Sequence, residues 1–245
     1  MELNYQKLGL KKDYLYEVLA TTYSIDEDKL IPNTACMGIR LIKENTVKIT
    51  PYQNTRTYKN LKLNKFITLN LVDNIYLYAL AALKEVNSKI GLYTFPENFY
   101  NFLEIDTKGG ITEISNKIGN IKLHYIPFIN EAWAVLIGKA VQEEEIVKEN
   151  NIGISFLSEF QLDLIKIIKF KESFKLFNRA ENLGLESILL ATRLKIAYNK
   201  KNLFLYSNIL EKINNNIENI RRFGKNLNAL KAIDLVEKYI KNLEI

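Results

Sequence analysis

A guanidinium set between two hydroxyls, Thr55-Arg56-Thr57, is the grouping in this sequence best suited to chemistry. Arg brings charge and a planar fork of N–H donors, and hydroxyls can complete the coordination of an anion such as a phosphate. The triplet lies in a short polar segment, Gln53 to Tyr58, flanked by two alternating apolar runs. A plain turn could be made with Asn-Gly, so the residues suggest an anion site without establishing one. Other reactive side chains are few. One cysteine, Cys36, and one histidine, His124, exclude an internal disulfide framework and leave no Cys/His zinc set within a chain. Cys36 sits in an apolar, strand-like run, a structural position rather than that of a nucleophile. His124 reads as a structural strand residue, and Tyr125 and Trp133 as core or interface aromatics. No G-x-G-x-x-G opens a helix and no G-x-x-x-x-G-K-[ST] occurs, so a phosphate here needs a cradle other than a glycine loop.

The elements that must position these residues are mostly strands. Segments 13–23, 34–42, 46–52 and 65–72 are rich in β-formers or alternate. The period then changes: Tyr76, Leu80, Leu83, Val86 and Ile90 mark one face of a helix over 75–90. Residues 91–120 read as an elaborated connection with a turn at Gly109-Gly110. Segments 121–128 and 131–142 suggest a hairpin around Asn130, 143–151 a charged surface connection, and 161–170 a last strand. From Lys171 onward the pattern is helical. Leu185, Ile188, Leu189, Thr192 and Ile196 share one face; Tyr206, Ile209, Leu210, Ile213, Ile217 and Ile220 share a second. Leu230, Ile233, Val236, Ile240 and Leu243 share a third, with Gly224 at the break before it. Strands followed by helices argue against a doubly wound βαβ sheet. The expected organisation is a β domain over 1–170 and a helical unit over 171–245.

Charge is divided the same way. Residues 1–170 carry 20 basic and 20 acidic side chains, whereas 171–245 carry 14 and 8, so the whole surplus of +6 is in the helical part. Such a surplus is a nonspecific electrostatic signal. It reads as a solvated face, and a binding module whose basic helices contact nucleic acid or an acidic partner is the alternative function; no nucleic-acid-binding pattern supports it. No apolar run approaches the roughly 20 residues that span a bilayer, and no signal peptide is visible. A reducing, cytoplasmic setting with no membrane partner is the expectation.

Three segments line up as a larger pattern: "LATTY" ending the first strand, "IPNTACMGI" opening the second, and Thr55-Arg56-Thr57 followed by Asn60 and "FITLNLV". In this order they resemble the FMN-binding split barrels of the flavin-reductase kind. Downstream, "FNRAENLGLESILLATRLK" (177–195) is similar to the archaeal domain-of-unknown-function family 447, whose members are such barrels with a C-terminal helical part. The resemblance spans essentially the whole chain. It implies a fold that is mainly β with α, a split β-barrel plus a C-terminal helical unit, with FMN as cofactor. It also implies a homodimer holding the flavin near the subunit interface. Carried over residue by residue, it makes Thr55, Arg56 and Thr57 phosphate ligands and places Asn33, Thr34 and Ala35 along the edge of the flavin ring. Thr22 and Asn70 are further candidates. The family often carries a His before Ala-Thr-Arg, where this chain has Leu190, so no role for that side chain carries over. Arg179 and Arg193 either reach the cofactor mouth or pair with Glu186. The implied activity is that of an FMN-dependent oxidoreductase, or of a carrier or sensor of flavin; no residue identifies itself as a substrate acid or base.

Overall fold

The structure, a computed structural model, describes residues 8–243 except 28, 86, 106–110, 115–124, 151–152, 174–178 and 224–225. Three antiparallel strands open the chain: β1 (Leu15–Asp26), β2 (Lys29–Lys43) and β3 (Thr46–Ile49). A helix, α1 (Arg56–Asn64), leads into β4 (Phe66–Leu71) and then α2 (Ile75–Ala82). Five more strands complete the β content: the short β5 (Tyr100–Ile105), β6 (Ile111–Ile114) and β7 (Tyr125–Ile129), and the 17-residue β8 (Ala134–Asn150) and β9 (Gly153–Lys169). Six of these close a barrel in the order β1-β2-β3-β9-β8-β4, and β6-β5-β7 form a separate three-stranded sheet. Three helices end the chain: α3 (Arg179–Asn199), α4 (Leu203–Phe223) and α5 (Leu227–Lys241).

Closure is driven by alternation. Every second residue of a strand faces the interior, so Val18 and Ala20, Ile39 and Leu41, Ile67 and Leu69, and Leu136, Phe160 and Leu162 meet in one apolar core. That core accounts for the legibility of the first four strands.

The chain divides into two compact units. One holds Met1–Asp73, Pro96–Glu149 and Ile154–Ser173; the other holds Asn74–Phe95, Asn150–Gly153 and Phe174–Ile245. The segment carrying α2 therefore groups with the C-terminal helices. Gly184 of α3 lies where an added Cβ would touch Ile75 of α2 at 3.7 Å.

Several expectations are corrected. The helix expected over 75–90 ends at Ala82, with Leu83 as its C-cap, and Ile75, Leu77, Tyr78, Ala79, Leu80 and Ala81 are buried around it rather than along one stripe. The expected hairpin around Asn130 does not form: β7 pairs with β5 and β8 pairs with β4. Alternation identifies a strand but not its partner. Residues 143–150 continue β8 rather than making a surface connection; as a ribbon largely open to solvent they have no buried face to impose a period. The connection over 91–120 contains β5 and β6. In α3 the buried face runs through Gly184, Ser187, Ile188, Ala191, Leu194 and Ala197, and Ile196 is exposed. Small residues that permit close helix approach carry that face, and a reading by large apolar side chains overlooks them. The stripes expected in α4 and α5 hold at Ile209, Ile213, Ile217 and Ile220 and at Ile233, Val236 and Ile240. Val86, Gly109, Gly110, His124, Asn178 and Gly224 lie outside the described residues.

Candidate functional site

The Thr-Arg-Thr segment is the start of a helix. Thr55 is the N-cap of α1: its side chain accepts a hydrogen bond from the Tyr58 N–H at 3.3 Å and donates to the Tyr52 carbonyl at 2.7 Å. A hydroxyl at this position satisfies one of the amides that the first turn leaves without partners. After nine residues the helix stops at Lys65, which adopts the left-handed conformation (φ 62°) and returns its N–H to the Leu61 carbonyl. Tyr58 and Leu61, three apart, with Thr55 ahead of them, were the available helix signal. Four polar or charged residues among them obscured it.

α1 closes one end of the barrel. Leu61 joins the apolar core, and above it lies a layer of polar side chains. Thr22 of β1 and Asn33 of β2 are directly paired across the strands. The Asn60 amide donates to Thr22 Oγ1 at 3.1 Å, and the Asn33 amide donates to Thr57 Oγ1 at 3.3 Å. Thr22 Oγ1 donates in turn to the Asn33 carbonyl at 3.5 Å. All four side chains are buried, Thr57 to within 2 % of full burial. The approach to α1 is strapped to β9: Ser158 N–H donates to the Pro51 carbonyl at 3.0 Å, and Gln53 N–H to the Phe156 carbonyl at 3.0 Å.

Strand parity separates the remaining candidates. Neighbouring residues of a strand point to opposite faces, so Asn33 and Ala35 face the barrel interior while Thr34 faces out. Thr34 Oγ1 lies 2.8 Å from Thr21 Oγ1 and 2.8 Å from the Tyr100 hydroxyl of β5. Asn70 is on the same outer side. Its amide donates to the Leu19 carbonyl at 2.7 Å and to Thr21 at 3.1 Å, and its carbonyl oxygen accepts from the Ile129 N–H at 2.8 Å. Thr68 Oγ1 donates to the Pro127 carbonyl at 2.7 Å. These groups tie the barrel to the second sheet. Burial pushes the Tyr100 hydroxyl far above the ordinary phenol range, its bond to Thr34 opposing the rise only in part. Thr34 and Asn70 are thus engaged away from the Asn33–Thr57 layer.

Arg56, the first residue of α1, is exposed. No acidic residue occupies the first turn of the helix. Among the described residues neither Arg56 nor the exposed Lys59, one turn on, makes an ion pair, whereas Lys62 pairs with Glu143 at 2.8 Å. Two cations near the positive end of a helix repel it and each other; such an arrangement is disfavoured by about 0.3–1 kcal/mol per charge. An anion there would reverse the sign. Among the described residues no cluster of His, Cys, Asp or Glu could hold a metal ion, and no helix is long and apolar enough to cross a membrane. Arg193 is exposed on α3, and the structure does not describe the side chain of Arg179.

Part of the chain matches a known family model. Residues 16–106, from β1 through β5, match the N-terminal domain of a protein family of unknown function, DUF447. The match covers less than half of the chain and is to the family the sequence resembles. An FMN-bound DUF447 protein from Methanosarcina mazei superposes with a TM-score of 0.67 at 15% identity, covering 96% of this chain and all of its own. A flavin reductase complexed with NADP+ matches at a TM-score of 0.41 and 16% identity, over 69% of this chain and 87% of that one. A flavin reductase domain protein from Arthrobacter sp. FB24 gives 0.41 and 10%, over 69% and 84%. No curated protein matches the sequence. The fold is a closed six-stranded barrel with C-terminal helices, similar over nearly the whole chain to that of the FMN-bound protein.

Proposed function

We propose that this chain binds FMN with the phosphate at the N-terminus of α1 and works as a flavin-dependent oxidoreductase. The observation that carries the reading is Arg56: an exposed guanidinium without an acidic partner among the described residues, on a helix start with no acid in its first turn. A phosphate would accept from Arg56 and from the first-turn backbone N–H groups that no intrahelical carbonyl can reach. Thr55 holds those amides in place as the cap, and Thr57 contributes its backbone rather than its buried hydroxyl. The FMN bound by the relative from Methanosarcina mazei, over nearly the whole length of this chain, supports the choice of ligand. A bound flavin would supply hydride or electron transfer at its ring, and the protein position, charge and access.

The functional state is proposed to be a homodimer. The outer parts of β8 and β9 expose Val141, Val147, Ile154 and Phe156. A two-stranded ribbon is marginal in water without a surface to cover it, and a second copy of the chain would provide one.

The test begins with an absorbance spectrum of the purified protein and a titration with FMN. Arg56→Ala is expected to weaken FMN by about 1.5–3 kcal/mol, roughly 10- to 150-fold, the range for a hydrogen bond to a charged group. Unchanged affinity would remove Arg56 from the site, and failure to bind flavin at all would end the reading. Bleaching of bound FMN by NADH or NADPH under anaerobic conditions distinguishes an oxidoreductase from a flavin carrier.

A further inference from the structure

We infer that Asn33 and Asn60 are positioning residues for the phosphate end of this site, acting by fixing α1 on the mouth of the barrel. This rests on the reading of α1 as the phosphate-binding element. Thr57 and Asn60 are three residues apart and so share one face of α1. They engage Asn33 and Thr22, two residues directly opposed in β2 and β1. The bond from Thr22 to the main-chain carbonyl of Asn33 closes a circuit through the four buried residues. One attachment would leave the helix free to roll about it; two, separated by about 4.5 Å along the axis, set both its rotation and its slide. The placement of Arg56 and of the first-turn amides follows from that seating.

The same geometry gives Asn33 a place under the helix. One N–H of its amide is donated to Thr57, and turning the amide away would leave the buried Thr57 hydroxyl short of a partner, a costly state. Asn33 is therefore assigned to the seat of α1, with the ring edge as the alternative that flavin titrations decide for or against.

Riboflavin, which lacks the phosphate, separates the two roles. The full-length chain and its Asn33→Ala and Thr57→Val variants are titrated with FMN and with riboflavin. Each variant is expected to bind FMN about tenfold more weakly, with riboflavin affinity within about twofold of the parent protein. The double variant should be no weaker than either single one, because both remove the same bond. Thr57→Ser retains the hydroxyl and should bind FMN like the parent, which separates a lost hydrogen bond from a general loss of folding. An equal fall for both flavins would put Asn33 on the ring and overturn the inference, as would unchanged FMN affinity. If Arg56→Ala weakens FMN selectively while Asn33→Ala does not, the inference alone falls. If no flavin binds, both it and the reading beneath it fall.

Discussion

At the scale of single residues, the buried polar groups divide by strand parity into one set under α1 and another between the barrel and the second sheet. Tyr100 belongs to the second, its hydroxyl 2.8 Å from Thr34. Its folded-state pKa is raised, chiefly by burial, so the native protein keeps this proton where an unfolded phenol, with a pKa of about 10, releases it. Above that pH the unfolded state binds fewer protons than the folded one, and stability falls as pH rises. Tyr239, also held well above its ordinary range by burial and by Glu85, acts in the same direction. Tyr100→Phe should cost about 1 kcal/mol at neutral pH through the lost hydrogen bond. It should also reduce the loss of stability above about pH 10. Urea denaturation at neutral and alkaline pH measures both; an unchanged alkaline slope would show that Tyr100 does not contribute to it.

At the scale of elements, the barrel depends on a plug and on close strand packing. Leu61 brings the apolar side of α1 into the core, and Leu61→Ala should destabilise the chain by about 2–5 kcal/mol, as for other buried truncations. Gly138 of β8 lies where an added Cβ would sit 3.3 Å from Leu162 Cβ and 3.5 Å from Ile67. Those neighbours belong to adjoining strands of a closed sheet and have little room to move. Gly138→Ala is expected to cost about 1–3 kcal/mol, read as a lower denaturation midpoint with an unchanged m-value. Of the two variants, Leu61→Ala should also weaken FMN, since it loosens the seat of α1, whereas Gly138 lies in the barrel wall.

At the scale of the whole molecule, the proposed dimer gives the clearest expectation. Light scattering should return twice the 28.4 kDa chain mass, and Phe156→Asp with Val147→Asp should return the single mass by placing charge in the covered ribbon. A monomeric parent protein would remove the dimer and leave Arg56 to be tested separately. The charge surplus of residues 171–245 is partly spent internally. Arg221 of α4 pairs with Glu237 of α5 at 2.6 Å, and Lys195 of α3 pairs with Glu85 at 2.6 Å. Such contacts let basic helices pack together without a polyanionic partner.

Sequence alone determined the strands whose alternation feeds one core, the succession of strands by helices, and the Arg56 segment as an anion candidate. Those properties are local: periodicity and residue chemistry appear within a few positions of the chain. Tertiary structure decided what depends on distant partners. It paired β7 with β5 instead of β8, extended β8 through a charged run, and turned a polar loop into a capped helix over the barrel mouth. It also sent Asn33 and Thr34, adjacent in sequence, to opposite faces with different neighbours. Which side of a strand meets a helix, and which meets a second sheet, is set by closure of the barrel, and no short stretch of residues carries that information.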